Sequence, residues 1–241
     1  WRYVNPRMLF GRHLGVRGVT GRLADPTDAK MAQLKRLVEQ VTAKAVEDRI
    51  LRPRAVYRWF RVRPEPEAVV VDNGGGAPVR FDFPRPRKGG GVSAVDWIRP
   101  PQLGGDHVGA FVVTSGGDTS TPAAEMRRAG DLLESLILQA VALELAEATA
   151  EYVHRRMRAE WGFPDPETLS VEDIFRAKYR GVRLSFGFPA CPRLENQAPL
   201  FELLRPERIG VRLTESYMMR PEGSVSALVF HHPRARYYSV R

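Results

Sequence analysis

The sequence has a single cysteine, Cys191, among its 241 residues. One cysteine excludes an internal disulfide framework and thiolate zinc sites built within the chain, because both need several cysteines. It fits a reducing compartment, so we expect a cytoplasmic protein. No apolar run approaches the roughly 18–20 residues that a membrane-spanning helix requires, so we expect no membrane partner. The start, Trp1 to Val4, has neither an initiator methionine nor the apolar core of a signal peptide, which favours a fragment of a longer chain.

Lysine is scarce, yet the formal net charge is +9, so the basic side chains are mostly arginines. A net positive charge of this size is compatible with nucleic-acid binding, in which arginines neutralise the phosphates. The arginines are spread from Arg2 to Arg241, however, and no zinc-finger spacing or RNP-like aromatic segment accompanies them. We therefore predict no nucleic-acid partner. An acidic protein partner, drawn in by electrostatic steering, explains the charge equally well, and so does a solvated surface without a partner.

The first half of the chain mixes helical and strand patterns. Asp25 followed by Pro26 is typical of a helix start, and apolar residues at three- and four-residue spacing predict an amphipathic helix to about Asp48. Two runs rich in aromatic and branched residues, 55–62 and 68–72, predict strands. The Gly-, Pro- and Arg-rich stretch 73–91 predicts a loop or a tight hairpin, but it lacks the Lys-Ser/Thr of a phosphate-binding loop.

The strongest helical pattern runs from about 122 to 160, a rod of roughly 50 Å at 1.5 Å per residue. One stripe along it contains Leu136, Ala140, Leu143, Glu147, Ala150 and His154. Glu147 is a carboxylate in the middle of this apolar stripe. From the pattern alone, it either pairs with a nearby arginine at the edge of the core or has a function.

The remaining elements are short. We predict a buried strand at 108–114, a capping box at Ser170 to Asp173, a helix at 198–204 and strands at 213–217, 225–230 and 237–240. Helices and strands do not alternate regularly, and several strands have hairpin spacing. The predicted fold class is α+β, a largely antiparallel twisted sheet with long helices, in a single domain spanning 1–241.

The most unusual stretch runs from Tyr179 to Pro192. Two prolines bracket Cys191, Gly187 precedes an aromatic residue, and Arg183 stands four residues before that glycine. A backbone this rich in proline is stiff and extended, so it suits the clamping of a small ligand. The guanidinium of Arg183 offers a planar fork for a carboxylate.

The pattern Arg-x-x-x-Gly-aromatic-Pro-Ala-Cys-Pro, from Arg183 to Pro192, resembles the signature of the activation domain of cobalamin-dependent methionine synthase. Other segments are similar to that family in the same order. They are 4–10, 109–114, the long-helix segment 145–154 and the C-terminal segments 213–217, 223–226 and 232–238. The resemblance covers nearly the whole chain, and the Pro-Ala-Cys-Pro and Thr-Glu-Ser blocks are its most specific parts.

The resemblance implies a repair function. In this family the activation domain binds S-adenosylmethionine (AdoMet) and presents its methyl group for reductive remethylation of inactive cob(II)alamin. The implied partners are the cobalamin-binding domain of the same enzyme, which holds the cobalamin, and flavodoxin or a similar reductant. The resemblance implies that the protein holds and orients AdoMet near the cobalt, since the cofactor itself supplies the reactive chemistry. The chain would thus be the C-terminal part of a methyltransferase, without catalytic residues of the main cycle.

The resemblance also implies the residues that bind AdoMet. Arg183 would hold the AdoMet carboxylate, the backbone around Ser185 would meet the adenine, and Asn5 would lie at the ammonium. The full predicted set is Arg183, Ser185, Gly187, Phe188, Tyr237, Tyr238, Glu147 and Asn5.

Several positions depart from the family pattern. Asn5 stands where an aspartate is usual, Phe188 replaces a tyrosine, and Leu14 replaces a common tryptophan. The change at Asn5 removes a charge-assisted hydrogen bond, a loss of order 1 kcal/mol. The alternative is therefore a degenerate module that caps a cobalamin domain without using AdoMet. The chain has no Asp-x-His-x-x-Gly corrin-binding loop, and we predict no metal site of its own.

Overall fold

The computed structural model of the chain describes residues 1–86 and 91–239. A π-helix at Arg7–His13 opens the chain. The α-helices are α1 (Val19–Ala24), α2 (Ala29–Glu47), α3 (Ser120–Ala129), α4 (Leu132–Glu160), α5 (Val171–Phe175) and α6 (Gln197–Leu204). The strands are β1 (Leu51–Glu65), β2 (Ala68–Val71), β3 (Val79–Asp82), β4 (Asp106–Gly116), β5 (Val182–Leu184), β6 (Arg212–Leu213), β7 (Met219–Arg220) and β8 (Ser224–Phe230).

Six of the strands form one antiparallel sheet in the order β3-β2-β1-β4-β8-β5. The short β6 and β7 form a separate hairpin. The predicted α+β class and antiparallel sheet are confirmed. β4 is buried along nearly its whole length because helices cover both of its faces, so its residues are apolar on both sides rather than alternating.

The long helix α4 lies across β4 and β8 on one face of the sheet. Phe111, Val153 and Met157 belong to the core between them. Helices α2 and α3 pack on α4 and extend this layer outward. The opposite face of the sheet packs against α6 and the segment after β3, in a second core that includes Phe81 and Leu200. The sheet is therefore a buried middle layer, and the ends of its strands are free to form sites.

Two helix boundaries differ from the prediction. The N-cap of α2 is Asp28, whose side chain accepts a hydrogen bond from Met31 N at 2.9 Å, and not Asp25. The carboxylate of Asp25 instead closes a turn by accepting from Thr27. The single helix predicted at 122–160 is two helices, because Gly130 adopts a left-handed φ of 93° that ends α3.

The predicted inward stripe on α4 is wrong in part. Ala140, Ala150 and His154 are buried, as expected, but Leu136 and Leu143 are exposed. The side chain of Glu147 is 54% exposed, so it does not lie in the core. The helix packs against the sheet with one side and against α2 and α3 with another, so a single stripe does not describe its buried surface.

Two short segments also differ from the prediction, and a third agrees with one of its two alternatives. The stretch 73–91, predicted as a loop or a tight hairpin, contains strand β3, which pairs with β2 in an antiparallel hairpin, and its residues 87–90 lie outside the described residues. The strand predicted at 213–217 is limited to Leu213, since Thr214 closes a turn by accepting from Tyr217 N. Residues 237–239 of the last predicted strand are irregular, and Val240 lies outside the described residues. The other predicted strands and the capping box at Ser170 are confirmed.

Over residues 1–86 and 91–239, every helix is too short or too polar to cross a membrane.

Candidate functional site

A groove runs between α4, β5 and the start of β8. It consists of two adjoining cavities of about 350 Å³ and 380 Å³, which share Glu147, Glu222 and Val225 in their lining. We call it the α4 groove. On the α4 side, Glu144, Glu147 and Glu151 follow each other at i, i+3 and i+7, so they lie on one helix face. The groove is therefore acidic, although the chain as a whole is basic.

Arg183, on β5, lies among these carboxylates. Its Nη1 donates a hydrogen bond to Glu151 Oε2 at 2.6 Å, and its Nη2 lies 3.7 Å from Glu147 Oε2. Burial alone would lower the pKa of the Arg183 guanidinium, but the Glu151 carboxylate raises it overall. The groove thus holds one permanent positive charge beside a surplus of negative charge.

Two of the carboxylates are buried. Glu151 Oε1 has no hydrogen-bond partner among the described residues, although its other oxygen is bound to Arg183. Glu144 accepts a hydrogen bond from Asn5 N at 3.0 Å, and His13 Nε2 lies 3.4 Å from its other oxygen. Burial raises the pKa of Glu144. Buried acceptors of this kind suit a cationic ligand group, which would satisfy their remaining lone pairs.

Asn5 lies at the edge of the α4 groove, as its predicted role requires. Its side-chain Oδ1 accepts hydrogen bonds from the backbone N–H groups of Arg7 at 3.0 Å and Met8 at 3.4 Å. These bonds cap the start of the N-terminal π-helix. The amide oxygen therefore already serves the fold, which reduces its capacity for a ligand ammonium.

The Pro-Ala-Cys-Pro segment forms a tight turn at one end of the groove. Gly187 takes a φ of 79°, its N–H bonds to Cys191 O, and Cys191 N bonds to Phe188 O, both at 2.9 Å. This turn leaves the Phe188 ring 55% exposed beside Ser185, and both residues line the groove. Cys191 itself is buried, and burial raises the pKa of its thiol to about 11. Its role is therefore packing.

The tyrosine pair lies behind this turn and outside the groove lining. The Tyr238 hydroxyl accepts a hydrogen bond from Ala94 N at 3.1 Å, and its ring meets Trp97 edge-on at 5.7 Å. Tyr237 is exposed. The structure thus brings Arg183, Glu147, Asn5, Ser185 and Phe188 to one groove, but it does not bring the tyrosines there. A ligand role for Tyr237 and Tyr238 stays a prediction.

A buried polar cluster supports Arg183 from behind. The Tyr179 hydroxyl lies 3.4 Å from Arg183 Nη1. The Arg158 guanidinium carbon lies 3.9 Å from the centroid of the Tyr179 ring. The His154 ring meets the Tyr179 ring edge-on, with 5.0 Å between the ring centroids. Arg158 in turn donates two hydrogen bonds to Asp165, at 2.6 and 2.5 Å. Burial raises the pKa of Tyr179 to about 12, so its phenol stays neutral at physiological pH.

His154 should make the stability of the chain depend on pH. Burial, with the positive charges of Arg158 and Arg183, lowers the pKa of His154 well below its ordinary value of 6.5. As the pH falls below 6.5, the histidine is protonated in the unfolded chain before it is protonated in the folded chain. The free energy of unfolding therefore decreases progressively below that pH. The slope should be up to about 1.4 kcal/mol per pH unit.

The replacement His154→Leu should remove this contribution, so that the free energy of unfolding falls less steeply between about pH 6.5 and pH 5. Urea unfolding at a series of pH values measures the slope. His107→Leu, at an exposed histidine, is the matched control and should leave the slope unchanged. Equal slopes in the His154 variant and the parent would contradict the assignment.

Gly181 positions β5 and hence Arg183. Its φ of 85° lies in the left-handed region, and a Cβ atom there would collide with the carbonyl oxygen of Phe230. We expect Gly181→Ala to destabilise the fold by at least about 2 kcal/mol. The same substitution at Gly21, in α1 with open space around it, should instead be neutral or stabilise by about 0.5–1 kcal/mol. Chemical denaturation of the two variants distinguishes these outcomes.

The described residues contain no group of three or more histidine, cysteine, aspartate or glutamate side chains that could hold a metal ion.

Comparison with known proteins agrees with the sequence resemblance. Residues 19–241 match the family model described as vitamin B12 dependent methionine synthase, activation domain. The chain belongs to this family. It is 33% identical over 259 aligned positions to the methionine synthase of Mycobacterium leprae, covering 99% of this chain and 21% of the relative. It is 37% identical over 200 positions to the methionine synthase of Mycobacterium tuberculosis, covering 77% of this chain and 17% of the relative.

The activation domain thus spans about a fifth of the length of the curated relatives it matches. Among solved structures, it is similar to the crystal structure of the MetH reactivation domain bound to AdoHcy, with a TM-score of 0.88 and 31% identity. That similarity covers 99% of this chain and 77% of the other. The predicted family and fold class are confirmed.

Glu144, Glu151 and Tyr179 were not predicted from the sequence as groove or supporting residues. Spacing was the available signal for the first two, because Glu144 and Glu151 flank Glu147 at helical intervals. Among these three carboxylates, the predicted site included Glu147 alone. No sequence signal pairs Tyr179 with Arg183, although four positions separate them, since that contact depends on the turn before β5.

Proposed function

We propose that this activation domain binds AdoMet in the α4 groove and presents its methyl group to a cobalamin held by a neighbouring domain. The observation that carries the proposal is Arg183 placed among three carboxylates in one groove. AdoMet carries one carboxylate together with an ammonium and a sulfonium. The groove offers the guanidinium of Arg183 for the ligand carboxylate, and several glutamates for the ammonium and the sulfonium.

Arg183 would hold the carboxylate of the amino acid part. Its guanidinium is oriented by Glu151, and a planar fork matches a carboxylate in two hydrogen bonds. Glu144, Glu147 and the unpartnered oxygen of Glu151 would face the ammonium and the sulfonium. Because AdoHcy is AdoMet without its sulfonium methyl group, the ligand in the solved relative supports this choice of ligand.

The adenosine end would lie toward Ser185 and Phe188. These residues line the half of the groove that also contains Leu194 and Met218, so it is more apolar than the Arg183 half. An exposed aromatic ring suits stacking on a purine. In this arrangement the protein holds and orients the methyl donor, and the acceptor cobalt is supplied by cobalamin in its own domain. The electron would come from flavodoxin or a similar reductant.

Titration calorimetry of AdoMet into this chain tests the proposal. We expect saturable binding of one molecule per chain. Glu147→Gln should weaken that binding by about 3- to 10-fold, because it removes a partly screened carboxylate facing the ligand cation. Glu125→Gln, on the exposed surface of α3, changes the net charge equally and should have no effect. No binding at millimolar AdoMet would reject the proposal.

One observation favours a second candidate, a module that caps the cobalamin domain without AdoMet. The amide oxygen of Asn5 is already bound to Arg7 and Met8 backbone N–H groups. If AdoMet does not bind, retention of a separately prepared cobalamin-binding domain by this chain would support the cap. Failure of both measurements would exclude both functions.

A further inference from the structure

Arginines surround a second concavity, which lies apart from the α4 groove. It has a volume of about 390 Å³ and forms where the start of β1, the end of β4 and the β6–β7 hairpin meet. Five arginines contribute to its lining, namely Arg49, Arg52, Arg54, Arg212 and Arg220. Asp118 is the one carboxylate among its described lining residues. We call this the arginine cavity.

Most of this positive charge is not neutralised by the protein. The side chains of Arg49, Arg52, Arg54 and Arg212 form no ion pair or hydrogen bond with the residues described, 1–86 and 91–239. Arg220 lies 3.5 Å from Glu222, and that glutamate belongs to the lining of the α4 groove.

Two of the arginines lie directly opposite each other. Arg212 on β6 and Arg220 on β7 are cross-strand partners in the hairpin register. Like charges in that position destabilise an antiparallel pair. The hairpin has only two residues in each strand, so it has little backbone pairing to offset the repulsion. A bound anion would reduce this repulsion.

The shape of the cavity favours a small molecule. Its volume lies in the range of about 300–1,000 Å³ that is usual for small-ligand sites. Gly210 forms part of its wall and has open space where a Cβ would lie, so the ligand can approach the backbone closely there. The arginine forks match phosphate oxygens in pairs of hydrogen bonds. Five guanidinium groups are best matched by a ligand that carries several closely spaced negative charges.

We propose that the arginine cavity binds the oligophosphate group of a small molecule, such as a nucleoside diphosphate or triphosphate. This proposal does not rest on AdoMet binding. The two sites have no lining residue in common, since Arg220 and Pro221 line the arginine cavity while Glu222, Ser224 and Val225 line the α4 groove.

Titration of inorganic tripolyphosphate at about 0.1 M salt tests this site. We expect saturable binding by the parent chain, weakened about tenfold or more in the double variant Arg52→Ala/Arg212→Ala. The matched control is Arg61→Ala/Arg128→Ala, which removes two exposed arginines elsewhere. It should change the dissociation constant less than about twofold, because distant exposed charges are screened. Circular dichroism verifies that each variant is folded.

Three results would overturn the proposal. One is the absence of saturable binding at millimolar tripolyphosphate. Another is an equal loss of binding in the control variant, which would assign the effect to net charge. The third is tighter binding of a short oligonucleotide than of tripolyphosphate, which would identify a nucleic-acid surface instead of a small-molecule site.

Discussion

Arg183→Ala should weaken AdoMet binding by about 30- to 1,000-fold, the effect of losing a charge-assisted pair worth about 2–4 kcal/mol. The reason is geometric as well as electrostatic. Arg183 is the one arginine that lines the described part of the α4 groove, and Glu151 holds it in place at 2.6 Å. Without it, a ligand carboxylate would meet only the carboxylates of α4. Calorimetric titration of AdoMet into the variant measures the loss.

Two further variants separate binding from folding. Arg183→Lys keeps the charge but loses the planar fork, so it should bind AdoMet with an intermediate affinity. Arg176→Ala removes an exposed arginine just beyond α5 and should bind like the parent. Because Arg183→Ala also leaves Glu151 without its partner, its thermal unfolding must be recorded in parallel. A folded Arg183→Ala chain with undiminished AdoMet affinity would contradict the assigned role.

Asp165→Ala should destabilise the fold by about 3–5 kcal/mol, the usual effect of removing one partner from a buried ion pair. The side chains of Arg158 and Asp165 are 1% and 2% exposed, and two short hydrogen bonds join them. Arg158 keeps its charge when Asp165 is lost, so the variant leaves a buried cation without its carboxylate partner, beside the Tyr179 ring. Urea unfolding at neutral pH measures the change in free energy.

The control is the exposed i,i+4 pair of Arg156 and Glu160 on the same helix. Glu160→Ala removes its carboxylate and should cost less than about 1 kcal/mol, because solvent screens the pair and hydrates what remains. Similar effects at Asp165 and Glu160 would show that the Arg158 pair is not buried in solution. A large difference would show that the buried pair of Arg158 and Asp165 stabilises the fold behind Arg183.

The sequence was sufficient for most of the local elements and for the family. Helix and strand patterns follow from the periodicity of apolar residues, so most elements were predicted within a few residues. The prolines around Cys191 predicted a stiff, extended backbone, and this expectation was wrong. Hydrogen bonds between Gly187 and Cys191 and between Cys191 and Phe188 close the segment into a tight turn, which the sequence did not indicate. The motif from Arg183 to Pro192 indicated the family, and the match over 19–241 confirmed it.

Only the tertiary structure decided which side chains meet. The spacing of Glu144, Glu147 and Glu151 places them on one face of any α-helix. Which of them is buried depends on what packs against α4. The arginine cavity joins positions from Arg49 to Arg220, whose proximity is set by strand pairing far apart in the chain. A sequence determines local conformation through short-range sterics and periodicity. Contacts between distant segments arise from the packing of the whole core, and a site built from such contacts becomes visible only in the fold.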